Sequence, residues 1–303
     1  MDKRKIKSLL SLPLTELVSE ANGIRRKRAG SEIELCNIMN AKSGMCGEDC
    51  KFCAQSARHL TEIPAYPLRD RRDILEAARQ AKLMGAHRFD IVTSGNTLSS
   101  LEFERIIEVV SEIKSEIGID MCASLGKLNE MSLAALKDSG VSRYHHNIET
   151  SANYFPKIVT THSFQDRIDT IKAAKKVGLE VCSGGIIGMG ESWLDRIDMA
   201  LVLEKLDVDS VPLNVLVAIK GTSLEGLEPM PWEDAIRTIA IFRIILKDKI
   251  IKIAAGRESV LKDFQSMAFM AGANGMLIGG YLTIRGRAVE DDLRLAEEIK
   301  RAW

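Results

Sequence analysis

From residue 31 onward, short runs rich in Val, Ile and Met alternate with longer stretches whose apolar residues recur every three or four positions. The first pattern is that of strands; the second is that of helices with one apolar face. Strands are expected at 32–38, 87–93, 120–124, 142–149, 180–185, 210–217, 250–255 and 275–278, and helices at 71–84, 99–117, 130–139, 163–177, 193–206, 232–246 and 259–271. Several helices close on a glycine stop, at Gly85, Gly118, Gly140, Gly178 and Gly272. Eight strands in strict alternation with helices predict an α/β fold, a parallel sheet closed into a TIM-type (β/α)8 barrel over 31–303. A doubly wound open sheet would alternate in the same way, but no GxGxxG turn opens the first unit. Ahead of the barrel, residues 1–30 read as a helical extension, with Leu9, Leu10, Leu14 and Leu17 on one face and the basic run Arg25 to Arg28 as a solvated helix end.

The polar positions break the usual pattern of such a barrel. Residues two apart on a strand share a face, and one face carries Glu34 and Cys36, Arg88 and Asp90, Cys122 and Ser124, then His145, Asn147 and Glu149, then Glu180 and Cys182, then Asn214. A lumen is ordinarily filled by branched apolar side chains, and a buried polar group without a partner costs about 1–3 kcal/mol. A polar lumen is therefore expected to hold polar ligands. By the same alternation only one of His145 and His146 should face inward, and His59, His87 and His162 sit in no ligand-like spacing.

Composition narrows the partners. The 42 basic and 42 acidic residues cancel, so no global field favours nucleic acid or an anionic membrane, and a small molecule is the expected partner. The uncharged run 268–284 is broken by glycines and is shorter than the ~20 apolar residues of a spanning helix. Six cysteines in 303 residues do not resemble a secreted disulfide scaffold, so a cytoplasmic location is expected.

The densest chemistry lies in Cys46, Cys50 and Cys53, spaced CxxxCxxC just after the first strand. Three thiolates can hold three corners of a cubane iron–sulfur cluster and leave one iron open; spacing alone also permits a zinc knuckle. Cys36, Cys122 and Cys182 on three different strands, with Arg257 near the closing end of the barrel, could hold a second cluster in the lumen.

With these residues stand the blocks SGMCGEDCKFCAQSARH, CASLG, YHHNIETS, KIVTTHSFQDRIDT, VCSGGIIGMGE, VPLNVLVAIKGTSL, AAGRE and FMAGANG. In this order the sequence resembles the radical S-adenosylmethionine enzymes and, within them, the biotin synthase family. The resemblance implies a [4Fe-4S] cluster on Cys46, Cys50 and Cys53 whose open iron chelates S-adenosylmethionine. It implies that Phe52 and Ile186 lie against the adenine, that Ser94 and Gly95 meet the methionine amine, and that Asn147 and Glu149 bond the ribose. Asn147 and Asn214 would reach the cyclic urea of dethiobiotin, and an auxiliary cluster near Arg257 would yield the sulfur that completes biotin. A reduced flavodoxin or ferredoxin would supply electrons, and a homodimer is compatible with the pattern.

The sequence departs from the family at one auxiliary-cluster position: strand two carries Asp90 where a cysteine is usual, while strand one carries the extra Cys36. A ligand set of Cys36, Cys122, Cys182 and a neighbouring Arg257 follows, for a two-iron or four-iron cluster. His145 and Glu149 replace the frequent asparagine and aspartate. The rival readings are a radical enzyme of the hydrogenase-maturase or lysine-rearranging type and a non-enzymatic iron–sulfur electron carrier.

Overall fold

The computed structural model describes residues 3–283 and 286–303. Its strands are β1 Glu34–Lys42, β2 Arg88–Thr93, β3 Asp120–Ser124, β4 Val141–His145, β5 Glu180–Cys182, β6 Gly185–Ile187, β7 Ser210–Val215, β8 Ile250–Ile253 and β9 Gly275–Leu277. All neighbours are parallel in the order β5-β4-β3-β2-β1-β9-β8-β7-β6, and Cys182 pairing with Ser210 closes the circle. The segments β5 and β6 are two halves of one stave, separated only by Ser183 and Gly184, so the barrel has eight staves as expected.

Local chemistry sets the helices that wrap it. Asp70, Ser99, Asn129, Ser163 and Ser192 each cap a helix by accepting a backbone N–H of its first turn, and Glu102, Asp166 and Asp195 complete reciprocal capping boxes. Each cap contributes about 1 kcal/mol. The outward strand residues Phe89, Ile91, Met121, Val181 and Ile251 are buried beneath those helices. Helix 100–112 continues as one π-turn before Gly118 ends it at φ 67°. The run near the C-terminus divides into short helical pieces, β9 and the segment leading to helix Val289–Ala302. No helix of the described residues is long and apolar enough to cross a membrane.

Three expectations need revision at this level. Helices α1 Lys3–Ser11 and α2 Leu14–Arg28 precede the barrel, and α2 lies along helix Trp232–Leu246. Arg25 is not a solvated end. It is fully buried, donates to the Gly30 carbonyl at 2.6 Å, and its guanidinium stacks 3.5 Å over the Trp303 ring. The fourth strand stops at His145 rather than Glu149, and β1 runs on to Lys42. Glu149 adopts φ 66°, which no strand residue could share.

The stave β5–β6 kinks where backbone approaches backbone. A Cβ on Gly184 would meet the Pro212 carbonyl oxygen at 1.9 Å, and one on Gly185 the Glu149 carbonyl oxygen at 2.3 Å. Gly185→Ala should push the Glu149 loop outward and cost about 1–3 kcal/mol. A lowered melting temperature in thermal unfolding is the expected result.

The N-terminal end of the lumen is filled by charge. Glu34 pairs with Arg88 at 3.0 Å, Arg143 at 2.7 Å and Lys252 at 2.7 Å, while Arg88 and Arg143 both reach Glu180, at 3.1 and 2.9 Å. Burial opposes ionisation of Glu34, but Lys252 and Arg143 outweigh it and hold the carboxyl well below its usual range.

Candidate active site

Above this ionic floor lies a cavity of about 370 Å³, lined by residues from both cysteine groups. Its outer wall is the loop after β1. Cys46 N–H donates to the Gln55 carbonyl at 3.0 Å and Ala57 N–H to the Cys46 carbonyl at 2.8 Å, while Cys53 N–H closes a turn on Cys50 at 2.9 Å. The loop is braced from outside. Asp49 accepts the N–H groups of Thr160 and Thr161 at 2.9 and 3.2 Å, His162 Nδ1 lies 2.6 Å from Glu48, and His59 Nδ1 lies 2.9 Å from the Cys53 carbonyl. His59 and His162 carried no spacing signal; only their contacts with the loop reveal them.

Burial, and then the neighbouring cysteine charges, push the Cys50 and Cys53 thiols up, to about 11 for Cys53. Three thiols crowded in this way suit a cationic cluster, which binds them as thiolates and removes their mutual repulsion.

Phe52, Ser94, Gly95, Asn147, Glu149 and Ile186 all line the same cavity. Ser94 Oγ donates to the Gly44 carbonyl at 2.8 Å, which ties the β2 turn to the base of the cysteine loop. Asn147 Oδ1 accepts the Gly184 N–H at 3.0 Å. Burial pushes the Glu149 carboxyl up against the opposing pull of Arg167, and its Oε2 is buried without a hydrogen-bond partner. An unpartnered acceptor at that point fits a ligand hydroxyl. Arg167, overlooked in the sequence although it sits within the FQDRIDT block, lines the cavity 3.6 Å from Glu149 and donates to the Asn147 carbonyl at 3.0 Å.

Deeper in the lumen Cys36, Cys122 and Cys182 are all buried and all line the cavity. Cys36 lies within electrostatic reach of both others. Lys252 Nζ stands 2.9 Å from Cys36 Sγ. Burial raises the Cys36 thiol to about 11 despite this lysine, whereas at Cys182 Lys252, His145 and Arg143 outweigh burial and bring the pKa down to about 7. Three soft thiols with a cation beside them and no disulfide among them form a donor set suited to an iron–sulfur cluster.

Arg257 is not among the lining residues. It begins the short helix Arg257–Val260, is 1% exposed, and donates to Asp292 at 2.6 Å, to the Tyr281 hydroxyl at 3.0 Å and to the Leu277 carbonyl at 3.2 Å. Strand β8 ends at Ile253, so extending strand alternation to residue 257 misplaced it. The cation in contact with a lumen cysteine is Lys252, which carried no signal in the sequence. Arg257→Lys keeps the charge but loses the fork-shaped donor; it should cost about 1–3 kcal/mol and leave iron per chain unchanged, as thermal melts and iron assays would register. His146 also departs from expectation: because β4 ends at His145, both histidines line the cavity, His146 stacking 6.3 Å from Tyr144.

A closed parallel barrel with a CxxxCxxC loop after its first strand defines a radical S-adenosylmethionine enzyme. The Radical SAM superfamily profile matches residues 42–203, and the Biotin and Thiamin Synthesis associated domain matches 212–300. The chain is 52% identical to a biotin synthase of Clostridium perfringens (strain 13 / Type A), covering 96% of this chain and 91% of that one. It is 48% identical to a biotin synthase of Thermotoga petrophila, covering 98% of each. The chain belongs to the biotin synthase family. Among solved structures, methylornithine synthase (PylB) superposes with a TM-score of 0.85 at 23% identity, over 98% of this chain and 92% of that one. The hydrogenase maturase HydG from Carboxydothermus hydrogenoformans gives 0.79 at 16%, over 97% and 77%; at such identities the likeness establishes the fold alone.

Proposed function

We propose that this chain converts dethiobiotin to biotin, using S-adenosylmethionine, a [4Fe-4S] cluster on Cys46, Cys50 and Cys53, and an auxiliary cluster held by Cys36, Cys122 and Cys182. The observation that carries the reading is two separate cysteine triads opening into one cavity that Asn147 and Asn214 also line. His145 pairs with Cys182, and Asn147 lies two residues further toward the mouth. Asn214 pairs with Ile186 across β6–β7, four residues beyond Ser210, the register partner of Cys182.

The chemistry supplied by these groups when bound is one-electron cleavage of S-adenosylmethionine, hydrogen abstraction by the resulting carbon radical, and sulfur donation from the lumen. The protein positions the reactants and excludes water. Glu149 Oε2 accepts a ribose hydroxyl, and Arg167 holds that carboxylate in place. Phe52 and Ile186, packed together with Met189 and Tyr154, form an apolar slot for the adenine. Asn214 Oδ1 accepts the Ala255 N–H at 3.1 Å and its Nδ2 donates to the Gly185 carbonyl at 3.3 Å, so the amide is held rigidly, leaving one N–H and one lone pair for a cyclic urea.

In the same reading, residues 1–30 are a helical extension to the barrel of 31–303, the enzyme works in the cytoplasm, and a reduced flavodoxin or ferredoxin is the donor. Anaerobic incubation with dethiobiotin, S-adenosylmethionine and reductant should yield biotin and 5'-deoxyadenosine. 5'-Deoxyadenosine without biotin would return the substrate question to the maturase and lysine-rearranging classes, and neither product would leave an electron carrier.

A further inference from the structure

Asp90 and His145 are lumen residues without a part in the scheme above. Strand β4 lies between β3 and β5, so His145 sits on the wall between Cys122 of β3 and Cys182 of β5. His145 is in direct register with Cys182, and Asp90 with Cys122. The imidazole Nδ1 lies 3.4 Å from Asp90 Oδ2, and the ring lies within electrostatic reach of Cys182. Asp90 Oδ1 is buried with no partner at all. A carboxylate beside one ring nitrogen, on a cavity wall with a thiol on either side, is an arrangement by which proteins orient a histidine toward a metal.

Other candidates for a non-cysteine contact fail on chemistry. Lys252 is clamped between Glu34 at 2.7 Å and Cys36 at 2.9 Å, and an ammonium offers donors but no lone pair. Arg257 does not line the cavity, and its guanidinium is taken up by Asp292, the Tyr281 hydroxyl and the Leu277 carbonyl. An imidazole that carries its proton on Nδ1, the nitrogen beside Asp90, retains a lone pair on Nε2.

We propose that His145 Nε2 ligates the auxiliary-cluster iron that has no cysteine, and that Asp90 is the positioning residue that fixes the ring. A four-iron cubane with three cysteines has one such iron. The proposal rests on reading the lumen triad as a cluster site. It also gives one account of two departures: where strand two gives up a thiolate for Asp90, strand four supplies a nitrogen.

The test is pulsed EPR on anaerobically reconstituted, dithionite-reduced enzyme grown with 15N-histidine, compared with unlabelled enzyme. Repeating it in Cys53→Ser confines the signal to the lumen. A 15N hyperfine coupling of the size given by a directly bound imidazole is expected, present in the parent and absent from His145→Gln. Asp90→Asn should keep the coupling but release the auxiliary iron to chelators 10- to 100-fold more readily, a loss typical of removing a carboxylate behind a metal-bound histidine. An auxiliary-cluster signal without histidine coupling, or one that persists in His145→Gln, overturns the assignment while the lumen-cluster reading stands. Iron sufficient for only one cluster in the parent enzyme overturns both.

Discussion

Cys36→Ser should separate the two halves of the reaction. Its hydroxyl is a hard donor that does not replace a thiolate on iron. The variant is expected to lose the lumen iron and retain that of the loop, so that 5'-deoxyadenosine still forms from S-adenosylmethionine while biotin falls below detection. Cys53→Ser is the converse: lumen iron stays and 5'-deoxyadenosine formation ceases. The two triads are built from different elements, one from a single loop after β1 and the other from β1, β3 and β5, so loss of one need not collapse the other. Iron and sulfide counts with Mössbauer spectra on both variants provide the check. Undiminished auxiliary-cluster content in Cys36→Ser would remove Cys36 from the ligand set.

Lys252→Met should be the most destabilising single change in the ionic floor. The lysine side chain is 4% exposed and joins Glu34 to Cys36. Methionine fills much of the volume but leaves the Glu34 carboxylate short of one counter-charge, and breaking such a buried network costs about 3–5 kcal/mol. The effect has a definite pH dependence. Despite burial, Lys252 and Arg143 hold the Glu34 carboxyl below its usual range. Its stabilising contribution is therefore complete above the unfolded-state pKa of about 4.3 and is lost as pH falls through the folded value. The gap between parent and variant should be widest near neutrality and narrow below about pH 4. Urea unfolding at a neutral and an acidic pH would reveal a constant gap if Glu34 were not the partner concerned.

The architecture was legible because hydrophobic periodicity and glycine stops are local signals. Helices Glu130–Ser139 and Trp232–Leu246 and strand Asp120–Ser124 begin and end where the pattern placed them. The cysteines were legible through parity: Cys36, Cys122 and Cys182 face one cavity because each lies on the inward phase of its strand. What failed was the extension of strand alternation beyond a strand's end. At residue 257 the chain has already turned through Gly256, at φ 83°, into a helix. A neighbouring error had another cause. Lys252 looks like an ordinary strand lysine, and only the closed barrel shows that its ammonium reaches Cys36 across β9. Arg167, His59 and His162 lie on helix or loop, where neither period nor spacing announces which way a side chain turns.

The ionic floor also governs traffic. With Glu34, Arg88, Arg143, Glu180 and Lys252 stoppering one end, the lumen is a blind tube, and its deepest occupant must be loaded first. In the proposed reading, iron and sulfide for Cys36, Cys122 and Cys182 pass the places later taken by substrate and S-adenosylmethionine. On that reading, rebuilding a depleted lumen cluster waits until the mouth is vacated, and product release sets the earliest moment at which a second turnover can be prepared.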